Sequence, residues 1–337
     1  MIDELPLEVA EVNLQNCADE PIHVPGTIQA HGAMLVFDSE ARLEAWSSNV
    51  AALLHIRLHV GMPLQAVELP APVRTMAEEC STMLEDEAIP SVLPVDIGGR
   101  EFDCVVHAYL GRIIVEFELR DVSLNTVGIF ALKAHSALDR LKRQTSIASL
   151  LQMATDQVRE ITGFDRVMGY RFGQDGSGDV VAESRIDSLA PLLGMRYPAS
   201  DIPAQARRLY VMNSLRLIPD LNAEPVPVLG REGSAPVDMS HCVLRSVSPV
   251  HIEYLRNMGV GASMSVSIIV DGHLWGMIAC HHMQPRRVPY AIRMTADVIA
   301  QVLAATVQKL EALRHAEIVE RGARMRTSLM QALMGGD

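Results

Sequence analysis

The first third of the chain carries a strand pattern. Ala33–Phe37 is an apolar run that ends at polar residues. Three further short runs, separated by glycine-containing turns, cover residues 92–97, 101–110 and 113–119. Short runs with such turns between them are typical of antiparallel hairpins. The pattern therefore predicts a small α+β domain that ends near Leu119.

The remainder of the chain alternates helical and strand patterns. Residues 130–161 are rich in Ala and Leu and lack Pro and Gly, which predicts one long helix ended by Gly163. Residues 186–245 are rich in Pro and predict loops and short helices. Residues 262–270 alternate Ser with apolar residues, and Asp271-Gly272 predicts a hairpin turn to a return strand.

A second long helical pattern begins near Tyr290. Its apolar residues lie three or four positions apart, at Ile299, Leu303, Val307, Leu310 and Leu313. This spacing gives a narrow apolar stripe that suits two parallel helices. We expect a parallel homodimer through this helix, and the alternative is that the stripe packs on its own domain. Gly322 weakens the prediction for the far end.

Composition and charge limit the classes of partner. The 337 residues suggest two domains, and a net charge of -12 argues against nucleic acid and anionic membranes. The N-terminus lacks a signal-peptide pattern, and no apolar run approaches the roughly 20 residues of a membrane helix. Five cysteines without a CxxC pair argue against a disulfide framework or a structural zinc site. They favour a reducing cytoplasm.

The segment Tyr197–Pro203 is the first candidate for a functional site. Asp201 lies there between two prolines, which stiffen the backbone around its carboxylate. A plainer interpretation is that Ser200 or Asp201 caps a helix that starts near Ala204. On these residues alone the cap is the favoured interpretation.

Histidines and a cysteine provide further candidates. His251 and Tyr254 lie three apart and can share a helix face, although such a histidine is more often a satisfied core residue. His281 and His282 are adjacent on a strand, so they point to opposite faces and only one can face a pocket. Cys17 lies in a polar, irregular segment, where a thiol is accessible, and an incidental surface thiol is the alternative.

Taken together, these groups suit two different kinds of site. A thiol hydrolase or a pocket for a large dianionic ligand could each use His, Tyr, Asp, Arg, a serine-lined strand and a free Cys. The sequence has no nucleophile motif with a base at a recognised spacing, which disfavours the enzyme.

In combination, the motifs resemble those of the bacterial phytochromes. The similarity spans essentially the whole chain and is carried by Cys17–Gly32, Gly163–Phe172, Pro198–Pro203, Leu244–Gly259 and Leu274–His282. Of these, Pro198–Pro203 is the most diagnostic. Ala30 stands where the family usually has proline, a departure expected to affect local stiffness only.

The resemblance implies an α+β fold with a PAS domain followed by a GAF domain, each an antiparallel sheet with flanking helices, and a long C-terminal helix. The expected bounds are 1–30 for an N-terminal segment, 31–120 for PAS, 130–315 for GAF and 316–337 for a helical extension. A figure-of-eight knot is also implied, in which the N-terminal segment passes through a lasso supplied largely by residues 218–238, with Ile28 inside. The family usually continues into a PHY domain and a histidine kinase, which this sequence does not encode.

The ligand implied by the resemblance is biliverdin IXα, a linear tetrapyrrole with two propionates. Cys17 matches the thioether attachment site, since Val250 stands where plant-type relatives have their attaching cysteine. Asp201 is expected to offer its carbonyl to the pyrrole N–H groups, and His251 to stack on the inner rings. The other expected contacts are Arg216, Arg245, Ser263 and Ser265 for the propionates, and Tyr170, Tyr197, Tyr254 and His281 for the D ring. Four further residues are expected to contact the bilin: Ile202, Pro203, Tyr210 and Ser248.

The function that the resemblance implies is red/far-red light reception. The module would act in the cytoplasm, catalyse no reaction itself and signal to a downstream histidine kinase. The alternative from another class is a GAF–PAS regulator that binds a cyclic nucleotide or another small molecule without a bilin. A thiol enzyme using Cys17 or Cys280 is the third interpretation, and a red absorption band would separate the first from both.

Overall fold

The computed structural model describes residues 20–82, 90–120, 138–231 and 233–334. The strands are β1 Thr27–Ile28, β2 Gly32–Phe37, β3 Leu43–Ser47, β4 Ser91–Ile97, β5 Arg100–Tyr109, β6 Arg112–Leu119, β7 Arg166–Phe172, β8 Gly178–Arg185, β9 Arg196–Tyr197, β10 Leu215–Ile218, β11 Val226–Gly230, β12 Ala262–Val270 and β13 His273–His282. The α-helices are Val50–Leu54, Ala71–Thr82, Ile147–Thr162, Ala204–Met212, Pro249–Asn257 and Tyr290–Met334.

The first sheet is antiparallel, with seven strands in the order β1-β11-β3-β2-β6-β5-β4. Its β4-β5-β6 meander follows the predicted runs, and Gly98 and Gly99 both have positive φ at the first turn, as a tight hairpin requires. One face packs on the helix Ala71–Thr82, around Phe102 and Phe117, whose rings meet edge to face at 6.3 Å. This is the PAS part of the expected fold.

The N-terminal segment passes between two parts of residues 218–246, here called the lasso segment. On one side β1 pairs with β11, with Ile28 opposite Val226. On the other side the backbone N–H of Gln29 donates to the carbonyl of Leu244 at 2.8 Å. Ile28 is fully buried. The expected figure-of-eight arrangement, with Ile28 inside it, is therefore present.

The second sheet is antiparallel, with six strands in the order β10-β12-β13-β7-β8-β9. One face is covered by the helices Ile147–Thr162 and Tyr290–Met334, which form the largest core with it. The first of these helices begins where the Ser146 hydroxyl accepts the N–H of Ser149, and it ends at Gly163 with φ of 67°. The opposite face lies towards two shorter helices. These are Ala204–Met212, which follows β9, and Pro249–Asn257, which follows the lasso segment.

The structure corrects two predictions of secondary structure, one of a helix and one of a loop region. The single helix over 130–161 is wrong, because residues 143–146 are not helical and Ser146 starts a separate helix. Part of that range, residues 121–137, lies outside the described residues. The predicted loop region 186–245 contains three short strands in addition to its helices and loops.

The last helix runs unbroken through Gly322 to Met334. By length and composition alone, Tyr290–Gln331 would suffice to cross a membrane, although the sequence suggested no such segment. However, 44% of its most apolar stretch is buried within this chain, so packing accounts for much of its apolar character. Near its start Arg293, 1% exposed, donates to the Glu118 carboxylate of β6, which ties this helix to the PAS sheet.

Candidate functional site

Three neighbouring strands of the second sheet form one wall of the candidate site. The register of β10, β12 and β13 places Arg216 opposite Ser265, and Ser263 opposite His281. Met264, between the two serines, belongs to the core on the other face, because successive side chains of a strand point to opposite faces. The alternating pattern therefore gathers two hydroxyls, a guanidinium and an imidazole on one wall.

Arg216 and Arg245 are buried cations that have no anionic partner among the described residues. Arg216 donates to the carbonyls of Arg245 and Ser246, the latter at 2.7 Å, and its Nη1 has no partner. Arg245 donates to the Ile22 carbonyl at 2.7 Å, and its Nε has no partner. Burial lowers the pKa of both guanidiniums, and the positive charge of Arg245 adds to the effect on Arg216. Two buried charges of the same sign are costly, so this wall is suited to an anionic ligand.

His251 and His281 are neutral groups beside this positive wall. Burial lowers the pKa of each imidazole to about 4, and the charge of Arg216 adds to the effect on His251. Nδ1 of His281 is buried and has no hydrogen-bond partner. A neutral imidazole with a free ring nitrogen can donate to or accept from a ligand, depending on its tautomer.

Tyrosine side chains and Asp201 form a second part of the site. The Tyr170 and Tyr197 ring centroids lie 6.0 Å apart, and the His251 and Tyr254 rings are stacked at 6.2 Å. The Tyr254 hydroxyl donates to Oδ2 of Asp201 at 3.4 Å. Burial, followed by the Asp201 charge, raises the pKa of Tyr254 to about 12, and burial also raises the pKa of Tyr170. These phenols stay protonated and can donate hydrogen bonds.

Asp201 does not cap the helix that follows it. It ends a short 3₁₀ turn, and the helix Ala204–Met212 has Pro203 at its N-cap with no side-chain cap bond. The favoured interpretation of this segment as a side-chain cap is therefore wrong. Because Pro203 occupies the capping position, the Asp201 carboxylate is left to meet Tyr254.

Ile202 and Tyr210 lie beside the tyrosines. Both pack in one apolar cluster with Tyr170 and Tyr197. The Tyr210 hydroxyl also bonds to Ser265, and burial raises the pKa of this phenol. The helix Ala204–Met212 thereby connects the tyrosine cluster to the serine-lined wall.

The N-terminal segment reaches the same wall. The Ser248 hydroxyl donates to the Glu20 carboxylate at 2.6 Å, so it is engaged with this segment. Arg245 holds the carbonyl of Ile22. Cys17, the predicted attachment residue, lies outside the described residues, three positions before Glu20.

Comparisons with known proteins cover both domains. The GAF domain model matches residues 146–307, and a PAS fold model matches residues 17–120. A solved chromophore-binding domain of an unusual bacteriophytochrome from R. palustris is 38% identical, with a TM-score of 0.79 over 89% of this chain and 99% of that one. The chain belongs to the bacteriophytochrome family. The chromophore-binding domain of the Stigmatella aurantiaca bacteriophytochrome gives a TM-score of 0.78 at 38% identity, over 87% of this chain and 99% of that one.

Curated phytochromes are longer than this chain. The bacteriophytochrome of Pseudomonas aeruginosa is 43% identical over 332 residues, which are 98% of this chain and 45% of the relative. Cyanobacterial phytochrome B of Nostoc sp. is 39% identical over 304 residues, or 87% of this chain and 40% of the relative. The chain thus spans less than half the length of either relative. The predicted PAS-then-GAF fold with a long C-terminal helix is confirmed.

The described cysteines do not support the thiol-enzyme interpretation. Cys280 is fully buried in the core, on the opposite face of β13 from His281, and burial raises the pKa of its thiol. A protonated thiol without solvent access is a poor nucleophile. The other described cysteines are also buried: Cys80, Cys104 and Cys242.

Two residues of this phytochrome site were missed from the sequence. A Cβ on Gly178 would lie 1.7 Å from the ring of Tyr170, so only glycine at that position allows the ring its place. The Gln29 side chain donates to the carbonyls of Leu217 at 2.9 Å and Arg245 at 3.4 Å. These bonds join the N-terminal segment to the wall that carries Arg216 and Arg245, here called the arginine wall. An isolated glycine at a strand start is a weak signal, because its neighbour on another strand is not visible in the sequence.

Proposed function

We propose that this chain is a red/far-red light receptor module that binds biliverdin against the wall formed by Arg216 and Arg245. The observation that carries the proposal is that both guanidiniums are buried without an anionic partner among the described residues. Two propionates match them in number and charge, and a guanidinium can hold a carboxylate by two parallel hydrogen bonds. A cyclic nucleotide brings one negative charge and leaves one guanidinium unpaired, so the bilin is the better match.

We assign the polar groups of the wall according to their geometry. Arg216 and Ser265 face each other across β10 and β12, so they are placed to share one propionate, while Arg245 serves the other. Ser263 and His281 face each other across β12 and β13. The unpartnered Nδ1 of His281 is available to a carbonyl of the terminal ring.

The tyrosine cluster is assigned to the signalling step. When bound, biliverdin would supply the double bond between its C and D rings, which isomerises on absorption of red light. Tyr254 and Asp201 are joined by a hydrogen bond of 3.4 Å, which is long and weak, so these groups can exchange partners at little cost. Tyr170 and Tyr197 confine the same region. The cluster therefore has the features of a switch with two arrangements.

We assign covalent attachment to Cys17. The chain just after Cys17 is held at the wall by Glu20 on Ser248 and by Ile22 on Arg245. Cys17 precedes Glu20 by three residue steps, which span at most about 10 Å, so we propose that its thiol can reach a ligand bound at the wall.

The wider assignments concern the whole protein. We propose that PAS covers residues 31–120 and GAF 130–315, and that 316–337 extends towards further domains. The module catalyses no reaction itself, works in the cytoplasm, signals to a histidine kinase and forms a homodimer through its last helix.

Titration with biliverdin tests the proposed site. We expect the wild-type chain to bind biliverdin with a strong red absorption band. In a Cys17→Ser background, where binding stays reversible, Arg245→Gln should bind it at least roughly tenfold more weakly, because a buried charge-assisted pair is lost. Arg231→Gln removes an exposed arginine of the lasso segment and is the matched control. Equal affinity with and without Arg245→Gln in the Cys17→Ser background, or no red band in the wild type, would refute the assignment.

A further inference from the structure

A buried cluster of one His, one Glu and one Cys lies between the PAS sheet and the lasso segment, outside the wall formed by Arg216 and Arg245. The register pairs Glu116 of β6 with Val105 of β5, so His107, two residues further along β5, lies diagonally beside Glu116 on the same face. Cys242 comes from the lasso segment that covers this face. One ligand atom of each residue lies within 4.8 Å of the other two, and all three side chains are buried.

The three side chains lie close together, but the contacts between them are longer than ordinary hydrogen bonds. Sγ of Cys242 lies 3.9 Å from Nε2 of His107, and the Glu116 carboxylate lies 4.0 Å from Nδ1. His107 is 1% exposed, and its Nδ1 has no hydrogen-bond partner. A buried ring nitrogen without a partner costs free energy, and a buried metal ion is one way to satisfy it.

We propose that His107, Glu116 and Cys242 bind a zinc ion that joins the PAS sheet to the lasso segment. One thiolate, one imidazole and one carboxylate form a ligand set that suits Zn²⁺ and not Mg²⁺ or Ca²⁺, which prefer oxygen alone. Tetrahedral ligands with bonds of about 2.0–2.3 Å lie roughly 3.5 Å apart, so small side-chain rotations close the observed separations.

Backbone hydrogen bonds orient one of these ligands. The Glu116 carboxylate accepts the backbone N–H groups of Leu244 at 2.7 Å and Val243 at 3.1 Å, which fixes its orientation as hydrogen bonds to metal ligands do. The unpartnered Nδ1 of His107 is the ring nitrogen that can ligate the ion. On binding, the Cys242 thiol releases its proton to solvent and its sulfur gives an electron pair to the ion.

His241 is the nearest further side chain that can supply a fourth ligand. It precedes Cys242 in the chain, is only partly buried, and its ring lies 6.3 Å from that of His107. Water or this imidazole can complete the tetrahedron. The ion would hold the lasso segment three residues before Arg245, so it would stabilise the wall of the bilin site without touching it.

The test measures zinc bound by the full chain, in a Cys17→Ser background that removes the one cysteine outside the described residues. After equilibration with micromolar zinc and gel filtration, elemental analysis should find one zinc ion per chain. X-ray absorption should find a single sulfur neighbour at about 2.3 Å. Zinc should raise the unfolding temperature, because it binds the folded state alone.

Cys242→Ser should weaken zinc binding more than about tenfold and abolish the rise in unfolding temperature. Cys104→Ser is the matched control, since Cys104 is equally buried on β5 but belongs to the core on the other face. Zinc retained equally by Cys242→Ser, a zinc environment without sulfur, or a chain that stays metal-free would overturn the proposal. The sulfur measurement on the Cys17→Ser chain decides the matter if Cys242→Ser fails to fold.

Discussion

Tyr254 and Asp201 meet at 3.4 Å, although they lie on a helix and on a separate 3₁₀ turn 53 residues apart in the chain. Each also has a second neighbour in the site: Tyr254 stacks on His251, and the Asp201 charge contributes to the raised pKa of Tyr170. A long hydrogen bond between two half-exposed groups can break and re-form at little cost. This pair is therefore the part of the site best placed to respond when a ligand changes shape.

Replacing the Asp201 carboxylate should affect photoconversion more than pigment binding. Asp201→Ala keeps the backbone carbonyl and removes one hydrogen bond worth about 0.5–1.5 kcal/mol, so the chain should still fold and take up biliverdin. We expect a coloured protein with stronger fluorescence and a smaller red-to-far-red change, measured by absorption and emission spectroscopy. The control is Asp187→Ala, an exposed aspartate of the same domain. A colourless Asp201→Ala protein would contradict this division of roles.

Cys17 should carry the bilin covalently. After denaturation, the wild-type protein band should show zinc-enhanced bilin fluorescence in a gel, and Cys17→Ser should lose it. Cys280→Ser should keep the fluorescence, because Cys280 is buried in the core. Fluorescence that persists in Cys17→Ser and disappears in Cys280→Ser would show that the attachment site is wrong.

The buried His31 should make stability depend on pH. Burial lowers its pKa from 6.5 to about 4, and the nearby Glu118 charge opposes the shift without cancelling it. The unfolded state therefore binds the proton more tightly, and the stability that neutral His31 allows is lost as pH falls from about 6.5 towards 4. The shift corresponds to at most about 3 kcal/mol.

Chemical unfolding of the wild type and of His31→Gln at several pH values measures this effect. The wild type should lose stability relative to His31→Gln as the pH is lowered from 7 to 4. The opposite trend would mean that protonated His31 pairs with Glu118, which lies 3.6 Å away. Glu118 instead accepts from Arg293, which is why we expect the neutral imidazole.

The first half of the apolar stripe on the last helix is used within the chain. Ile299, Leu303 and Val307 are fully buried in the GAF core. This part of the stripe therefore packs on its own domain, which was the alternative to a dimer. Truncation of a buried leucine costs about 2–5 kcal/mol, so a charge at Leu303 would unfold the domain before it tested pairing. Apart from Val298, the exposed large apolar residues of the described helix lie further along: Leu313, Ile318, Val319, Met325, Leu329 and Met330.

A dimer should therefore depend on the second half of the helix. Ile318→Glu with Met325→Glu should shift a dimer to a monomer in sedimentation at micromolar concentration and leave the bilin spectrum intact. The matched control is Ala316→Glu with Ala323→Glu, which adds the same charges at the same spacing about 200° around the helix. A wild-type chain that is monomeric at every concentration, or equal loss of the dimer in both double variants, would rule out pairing through the second half of this helix.

Local patterns predicted the elements that depend on local signals. The alternation of Ser with apolar residues in β12 follows from the two faces of one strand, and Asp271 and Gly272, both with positive φ, form the predicted hairpin turn. The placement of the site residues came from the family resemblance, because distant parts of the chain have to meet. Arg216 and Arg245 approach each other only because the lasso segment returns to the sheet.

Other features depended on contacts that a single sequence does not display. The break at residues 143–146 is decided by the Ser146 cap, which a count of helix-forming residues overlooks. The capping interpretation of Asp201 failed because Pro203 took that position. The cluster of His107, Glu116 and Cys242 combines two strands with the lasso segment, so the spacing of cysteines gave no sign of it.

An absorption spectrum of the chain produced together with haem oxygenase, recorded before and after red illumination, tests the central claim most directly. We predict a coloured protein whose red band decreases under red light, with a change that far-red light or darkness reverses. The arginine wall and the tyrosine cluster should make this change dependent on Arg245 and Asp201. A chain that stays colourless with biliverdin available, or a bound pigment that red light does not alter, would contradict the account.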